Sequence, residues 1–389
     1  MPLLSELAGK RKDHGFSSRA EYSYLLPPSY YYDPAIYERE KAAIWYRNWI
    51  FVGLLADVRD EGSYFTAQIM DQKIYVIRAR DGQVRAFYNV CQHRGHTLLE
   101  GRGKTSTIRC PFHAWTYDTF GNLKKAPQAE HVERFDYSEF CIPEIRCETL
   151  GPMVFVNLDD SARPLNETAG GLLASFTESI PQFSDLRHVR TESFDVKANW
   201  KFIHDGLEFY HGPYIHPEVA ATKNPYIFPR TSTLHEIWQL HRSKGNYELM
   251  EKHPEKLPYP MGPQTVRDLS VWYLWPNLVF ASRQGPPNFQ ILEAVPMGTE
   301  LSIRNQINFC LNEPPTEADL GHMNFYRDIV WPQDKEAMER QTAGIRSRGY
   351  IRGRHMVDAA HSSWAEHATH HFNNLVWLAL NGPNYEMRG

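Results

Sequence analysis

Cysteine is scarce and odd in number, with five residues (91, 110, 141, 147 and 310) among 389. A disulfide framework is dense and even, so this usage argues for free thiols in a reducing compartment. Basic charge is not in excess: 42 Lys and Arg stand against 46 Asp and Glu, and no basic run is interleaved with aromatics. That balance gives no electrostatic footprint for nucleic acid. No apolar run approaches the roughly 18 residues of a membrane span, and Met1 to Lys10 lacks the apolar core of a signal peptide. The expectation is a cytoplasmic protein with no membrane partner. Internal repeats, low-complexity tracts and a nucleotide-binding glycine fingerprint are all missing, so any reducing equivalents come from another protein.

What is present reads as an ordinary soluble globular chain, 42% hydrophobic and 23% charged, of a length that suits two or three domains. Residues 17–32, rich in Ser, Tyr and Pro, suggest an irregular arm. Asp33-Pro34 then offers a cap and a first-turn proline for a helix running past Tyr37 and Ile44 towards Asn48. From Trp49 the texture changes to short β runs: Trp49–Gly53, Gly62–Thr66, Lys73–Arg78 and Val84–Val90, the last two joined by the hairpin dipeptide Asp81-Gly82. Pro152–Leu158 looks like the last strand of an all-β domain over 49–158. A linker-like stretch from Asp159 to Pro181 leads into a mixed region, 159–389, and residues 1–48 form an arm and helix expected to pack on it. In that region Ser270–Ser282, Gln290–Pro296 and Leu301–Phe309 alternate like strands of an antiparallel sheet. Trp238, Trp272, Tyr273 and Trp275 are candidates for core or cavity wall, and the helix carrying His367, His370 and His371 is expected to be structural or surface.

Two clusters carry chemistry. Val90 delivers the chain to Cys91-Gln92-His93, and after sixteen intervening residues comes Cys110-Pro111-Phe112-His113. Two thiolates and two imidazoles serve either tetrahedral zinc or a [2Fe–2S] cluster with both His on one iron. Zinc sites usually pair Cys with Cys and His with His along the chain; here each loop holds one of each, which favours the cluster. Further on, Glu208 and His211 are three apart, on one face if the segment is helical, with Gly212-Pro213 expected to end that helix so that His216 folds back from a loop. Two imidazoles and a distant carboxylate make the 2-His-1-carboxylate triad of non-haem iron.

Arg94-Gly95-His96 after the first pair and Ala114-Trp115-Thr116-Tyr117-Asp118 after the second resemble the Rieske signature C-x-H-R-G…C-P-[YF]-H-[GA]-W-x-Y, with Ala114 where Gly is commoner. Asn199-Trp200-Lys201 followed by Glu208, His211 and His216 resembles the N-W-K…[DE]-x-x-H-x₄-H pattern of Rieske non-haem iron oxygenases of the ring-hydroxylating type. One departure is His204-Asp205-Gly206, where relatives commonly have a Glu-Asn pair and a longer spacer. The resemblance implies an α+β chain: an all-β Rieske [2Fe–2S] domain, then a catalytic domain whose antiparallel sheet is flanked by helices in a helix-grip or START-like arrangement. It implies Cys91, His93, Cys110 and His113 as cluster ligands and His211, His216 and Asp334 as ligands of a mononuclear Fe(II), with Asp328 and Glu336 competing for the third place. It implies Glu208 as the bridge carrying electrons from a cluster His of the neighbouring subunit in a head-to-tail homotrimer. A separate NAD(P)H-dependent flavin/iron–sulfur reductase, or a ferredoxin, would supply electrons, and O2 and a small organic substrate would meet at the iron. Hydroxylation or oxidative dealkylation by one oxygen atom is the leading reaction, because Glu at 208 resembles the quaternary-ammonium oxygenases, in which an aromatic cage can hold a cation. A cis-dihydroxylating dioxygenase is the alternative within the family; a non-catalytic Rieske electron carrier and a zinc-stabilised binding module are alternatives outside it.

Overall fold

A computed structural model describes residues 3–10, 15–206, 211–218, 230–262, 266–361 and 365–383. They form two compact units: Lys41–Gly170, and Met1–Glu40 together with Gly171–Gly389.

In the first unit the strands are β1 (Ile50–Leu54), β2 (Ser63–Ile69), β3 (Gln72–Arg78), β4 (Val84–Tyr88), β5 (Arg102–Lys104), β6 (Ile108–Arg109), β7 (Thr116–Tyr117), β8 (Leu123–Lys125), β9 (Glu144–Leu150) and β10 (Met153–Asn157). Seven of them make an antiparallel sheet in the order β1-β10-β9-β4-β3-β2-β5, and β6-β7-β8 make a smaller one. The Asp81-Gly82 hairpin forms as expected, with Gly82 at φ 78° and its N–H donating to the Ala79 carbonyl. The unit's core gathers Tyr75, Ile77, Phe87, Leu98, Ile108, Trp115 and Tyr117 around Cys91 and Cys110. Each cysteine loop springs from a strand end: residues 89–101 link β4 to β5, and 110–115 link β6 to β7.

The second unit is built on one antiparallel sheet of seven strands: β11 (Arg187–Val196), β12 (Arg230–Leu234), β13 (Trp238–Ser243), β14 (Leu269–Leu274), β15 (Leu278–Ser282), β16 (Asn288–Gly298) and β17 (Leu301–Cys310). Their order is β11-β17-β16-β15-β14-β13-β12. Helical stretches Glu317–Phe325, Tyr326–Val330 and Trp331–Ile345 follow one another, the middle one a π turn, and His367–Asn381 forms the last helix. Thr316 caps this run reciprocally with Asp319.

The Asn199-Trp200-Lys201 motif is an anchor. Glu40, last residue of the helix Pro34–Glu40, accepts from the Trp200 indole at 2.9 Å and from Lys201 Nζ at 2.5 Å, and both charged side chains are fully buried. Asn199 Nδ2 donates to the Thr299 carbonyl at 2.7 Å while its Oδ1 accepts from the Lys201 N–H. The chain from 202 to the histidines thus leaves a rigid base.

The structure bears on three expectations. Gly212-Pro213 opens the turn Gly212–Ile215, a role open to proline because a first-turn N–H has no partner to lose, while the helix expected to end at this dipeptide falls on residues 207–210, outside the described residues. The stretch 159–181 is less linker-like than its Pro and Gly suggest, holding the helices Leu165–Thr168 and Leu172–Ser179. Of the residues offered as core or cavity wall, Trp272, Tyr273 and Trp275 are core, as the sequence reading favoured: all three are buried, and Phe372 packs against Tyr273 and Trp275.

Candidate metal centres

The two cysteine loops have the same backbone design. Cys91 N–H donates to the carbonyl five residues on, at His96, and accepts at its own carbonyl from Gly95. Cys110 repeats both bonds with Trp115 and Ala114. The equivalent residues Gly95 and Ala114 both take positive φ, 72° and 60°, so the alanine adopts the left-handed turn that glycine supplies in the first loop. All five cysteines are free thiols, and Cys91 and Cys110 are buried. Burial pushes the Cys91 thiol up, and the Tyr117 hydroxyl, 3.4 Å from its Sγ, works in the opposite direction.

The His93 ring stacks on Trp115 with centroids 4.8 Å apart and meets His113 edge-on at 4.7 Å. His93 Nδ1 is buried with no hydrogen-bond partner among the described residues. An orphaned imidazole nitrogen beside a second imidazole and two buried thiols fits a [2Fe–2S] cluster, which would supply the missing bond. Burial, then the charge of His113 and Arg94, holds His93 below its ordinary pKa, so the ring is ready to bind metal as a neutral ligand.

In the second unit His211, His216 and Asp334 converge, their ligand atoms all within 4.8 Å of one another. An ion at about 2 Å from each donor nearly spans that spread. His216 Nε2 lies 3.1 Å and His211 Nε2 3.8 Å from Asp334 Oδ1. The short turn sets the histidines: the His211 carbonyl accepts from the Tyr214 and Ile215 N–H groups, and His216 closes the turn on the Gly212 carbonyl. Asp334 sits in the first turn of the helix Trp331–Ile345, directly after the π turn, a distortion that recurs at functional sites. The competing acids are engaged elsewhere, Asp328 with Arg327 at 2.6 Å and Glu336 with Arg340 at 2.5 Å. Burial acts to lower the His216 pKa, but the hydrogen bond and charge of Asp334 outweigh it and raise the pKa above its ordinary value. Glu208 lies outside the described residues.

Sequence reasoning missed three features of this centre. Gln333 accepts at Oε1 from His216 Nδ1 at 2.8 Å and donates through Nε2 to Glu218, which aims the other ring nitrogen at Asp334. Its position one residue before the candidate acid was the only available signal. A cavity of ≈ 140 Å³ opens beside the triad, walled by Leu269, Val271, Val279, Ala281 and Leu292 from the sheet and by Tyr326, Val330 and Trp331 from the helices. Arg283, Arg304 and His204 also face it. His204 is fully buried, neither ring nitrogen has a partner among the described residues, and burial pulls its pKa down to about 3, so it is a neutral imidazole. The tryptophans proposed from sequence are absent from the lining among the described residues. His367, His370 and His371 serve structure, bonding the Asp358 carbonyl, the Ser17 carbonyl and Gln239.

Comparison with known proteins agrees with this division. Residues 48–136 match the family described as Rieske [2Fe-2S] domain, and residues 183–380 match the ring hydroxylating alpha subunit (catalytic domain). The carnitine monooxygenase oxygenase subunit of Escherichia coli (strain K12) is 31% identical over 364 residues, 93% of this chain and 95% of that protein. Chloroplastic choline monooxygenase of Atriplex hortensis is 32% identical over 206 residues, 52% of this chain and 47% of that protein. A quaternary ammonium Rieske monooxygenase solved with L-carnitine superposes with TM-score 0.81 at 27% identity, covering 95% of this chain and 99% of the other. Naphthalene 1,2-dioxygenase from Rhodococcus sp. shares the fold at TM-score 0.77 and 17% identity, over 92% and 95% of the two chains. Among the described residues no helix is long and apolar enough to cross a membrane.

Proposed function

Because the chain belongs to the Rieske non-haem iron oxygenases, as a ring-hydroxylating alpha subunit, we propose that it inserts one oxygen atom into a small organic substrate, with quaternary ammonium compounds the first class to test. It is an O2-dependent oxidoreductase whose cofactors are a Rieske [2Fe–2S] cluster and a mononuclear iron. When bound, these groups supply one-electron transfer and O2 activation. The observation that carries the reading is the convergence of His211, His216 and Asp334 on the wall of a mostly apolar cavity. Relatives of nearly full length are carnitine monooxygenases, which favours monooxygenation over cis-dihydroxylation.

Each part of the site has a role in this proposal. Cys91, His93, Cys110 and His113 would hold the cluster, and His211, His216 and Asp334 would hold the iron beside the cavity that admits substrate and O2. Gln333 keeps the His216 proton on Nδ1 so that Nε2 is the ligand atom. The sheet and helix side chains of the wall exclude water from the reacting carbon. One oxygen atom enters a C–H bond and the other leaves as water, with two electrons and two protons delivered by way of a separate NAD(P)H-dependent reductase or a ferredoxin. Glu208 bridges His211 to His93 or His113 of the partner subunit in a homotrimer. The protein works in the cytoplasm. The electron-accepting domain spans 49–158 and the catalytic domain 159–389, with 1–48 an arm on the latter; the grouping of residues 1–40 with 171–389 supports the arm, while 41–48 and 159–170 group with the first unit.

The test is turnover under ¹⁸O2 with reductase and NADH, screening L-carnitine, γ-butyrobetaine, choline and benzoate. One labelled oxygen per product supports monooxygenation, and two in a cis-diol would replace it with dihydroxylation. Glu208→Gln should keep both metals and lose turnover; full activity in that variant would remove the bridge.

A further inference from the structure

Two arginines face the cavity beside the triad. Arg283 follows β15 and Arg304 lies on β17, and they are only 6% and 8% exposed. Neither has a carboxylate partner among the described residues. The Arg283 guanidinium lies over the Tyr326 ring at 3.7 Å and that of Arg304 over the Trp331 ring at 3.8 Å. Stacking fixes the planes and leaves the N–H edges to find acceptors. Each guanidinium finds one, an amide oxygen: Gln290 Oε1 for Arg283 at 2.7 Å and Gln306 Oε1 for Arg304 at a long 3.5 Å. Arg283 Nε is buried with no partner among the described residues.

Buried cations without counter-ions destabilise a fold, and here two stand together. Burial pulls the Arg304 pKa down to about 10, the charge of Asp334 pulls the other way, and Arg283 adds its repulsion. Asp334 is the one acid in the cavity lining among the described residues, and it is committed to the triad. A divalent ion there would leave the cavity strongly positive. Such a site repels a simple cation and attracts an anion small enough to share ≈ 140 Å³ with the reacting carbon. The faces of Tyr326 and Trp331 that would form a cation cage are already taken by the guanidiniums.

We propose that Arg283 and Arg304 form a carboxylate clamp, so that the substrate is a small organic acid, or a zwitterion bound through its acid end. This rests on the oxygenase reading and narrows its substrate class. A choline-like alcohol, cationic with no acid group, is excluded as the preferred ligand.

The test is anaerobic calorimetry on the iron-loaded protein, where no turnover can occur. The probes are acetate, benzoate and γ-butyrobetaine, each beside its methyl ester, together with choline. At least one acid should bind about ten- to a hundred-fold more tightly than its ester, and choline should bind more weakly than γ-butyrobetaine. Arg283→Gln and Arg304→Gln should each abolish the acid preference while leaving the ester's affinity and the iron content unchanged; Arg→Lys at the same positions should restore it in part. An ester or choline binding as tightly as the acid, or no binding by any acid, would overturn the clamp, and the wild-type comparison decides even if a variant fails to fold. Iron content, measured on the same samples, separates this failure from that of the oxygenase reading, which predicts that the mononuclear iron is present whatever binds.

Discussion

Replacing Glu40 by Ala should destabilise the catalytic unit more than almost any other single change outside the metal centres. The carboxylate is completely buried and does two things: it neutralises Lys201 at 2.5 Å and accepts from the Trp200 indole at 2.9 Å. Removing it strands an ammonium in the interior, which costs about 3–5 kcal/mol. It also orphans a buried indole N–H, adding about 1 kcal/mol or more. A loss of about 4–6 kcal/mol is a large part of the ~5–15 kcal/mol that holds a typical domain together. Lys201 keeps weaker compensation from the faces of Trp200 and Tyr31, at 5.1 and 5.5 Å, and from the charge of Asp205. The double variant Glu40→Gln/Lys201→Met removes both charges and retains an acceptor for Trp200, so it should return to within about 1–2 kcal/mol of wild type. Urea unfolding followed by tryptophan fluorescence on wild type, Glu40→Gln, Lys201→Met and the double variant gives the cycle, with Glu40→Ala measured beside them. A Glu40→Ala midpoint equal to wild type, or a double variant as unstable as the two single changes added together, would refute the reasoning.

Two further outcomes test the local physics. Burial raises the Glu293 carboxyl from 4.5 to about 7, against the Asn305 hydrogen bond. Since the unfolded chain releases this proton first, the group makes stability fall as pH rises from about 4.5 to 7 and stay lower above; Glu293→Gln should flatten that slope and gain about 3 kcal/mol at most at pH 8, read from urea midpoints against pH. At the matched loop positions, both at positive φ, Gly95→Ala should cost about 1 kcal/mol and Ala114→Gly should gain up to about 1 kcal/mol, read as opposite shifts in the melting temperature of cluster-loaded protein.

The parts of this chain that are legible from sequence are those whose information is local. The Cys/His pairs, the Asp81-Gly82 hairpin and the Asp33-Pro34 helix start each state their chemistry within a few residues. β11 was missed because its residues are mostly half-exposed and polar, so it lacks the apolar alternation that marks a half-buried strand. β13 hides for the opposite reason, burying Gln239 and His241, polar groups that bond each other in the sheet. Gly212-Pro213 carries a signal the sequence reading did not use, since the dipeptide that stops one helix can also begin the next, as it does at Gly212–Ile215. Arg283, Arg304 and Gln333 belong to separate elements that meet only in the folded unit, and no spacing rule joins them. The role of Asp334 came from family likeness alone; the fold brings it to the two histidines, while Asp328 and Glu336 are held by neighbouring arginines.

The central claim is that one chain carries both a Rieske cluster and a separate mononuclear iron held by His211, His216 and Asp334. Anaerobic iron and sulfide analysis with visible and EPR spectra, on wild type and on His211→Ala/His216→Ala, tests it most directly. The account predicts about three irons and two sulfides per wild-type chain, and the loss of one iron with the Rieske spectrum unchanged in the variant. Two irons in both proteins from fully loaded preparations, or zinc in a colourless protein, would contradict it.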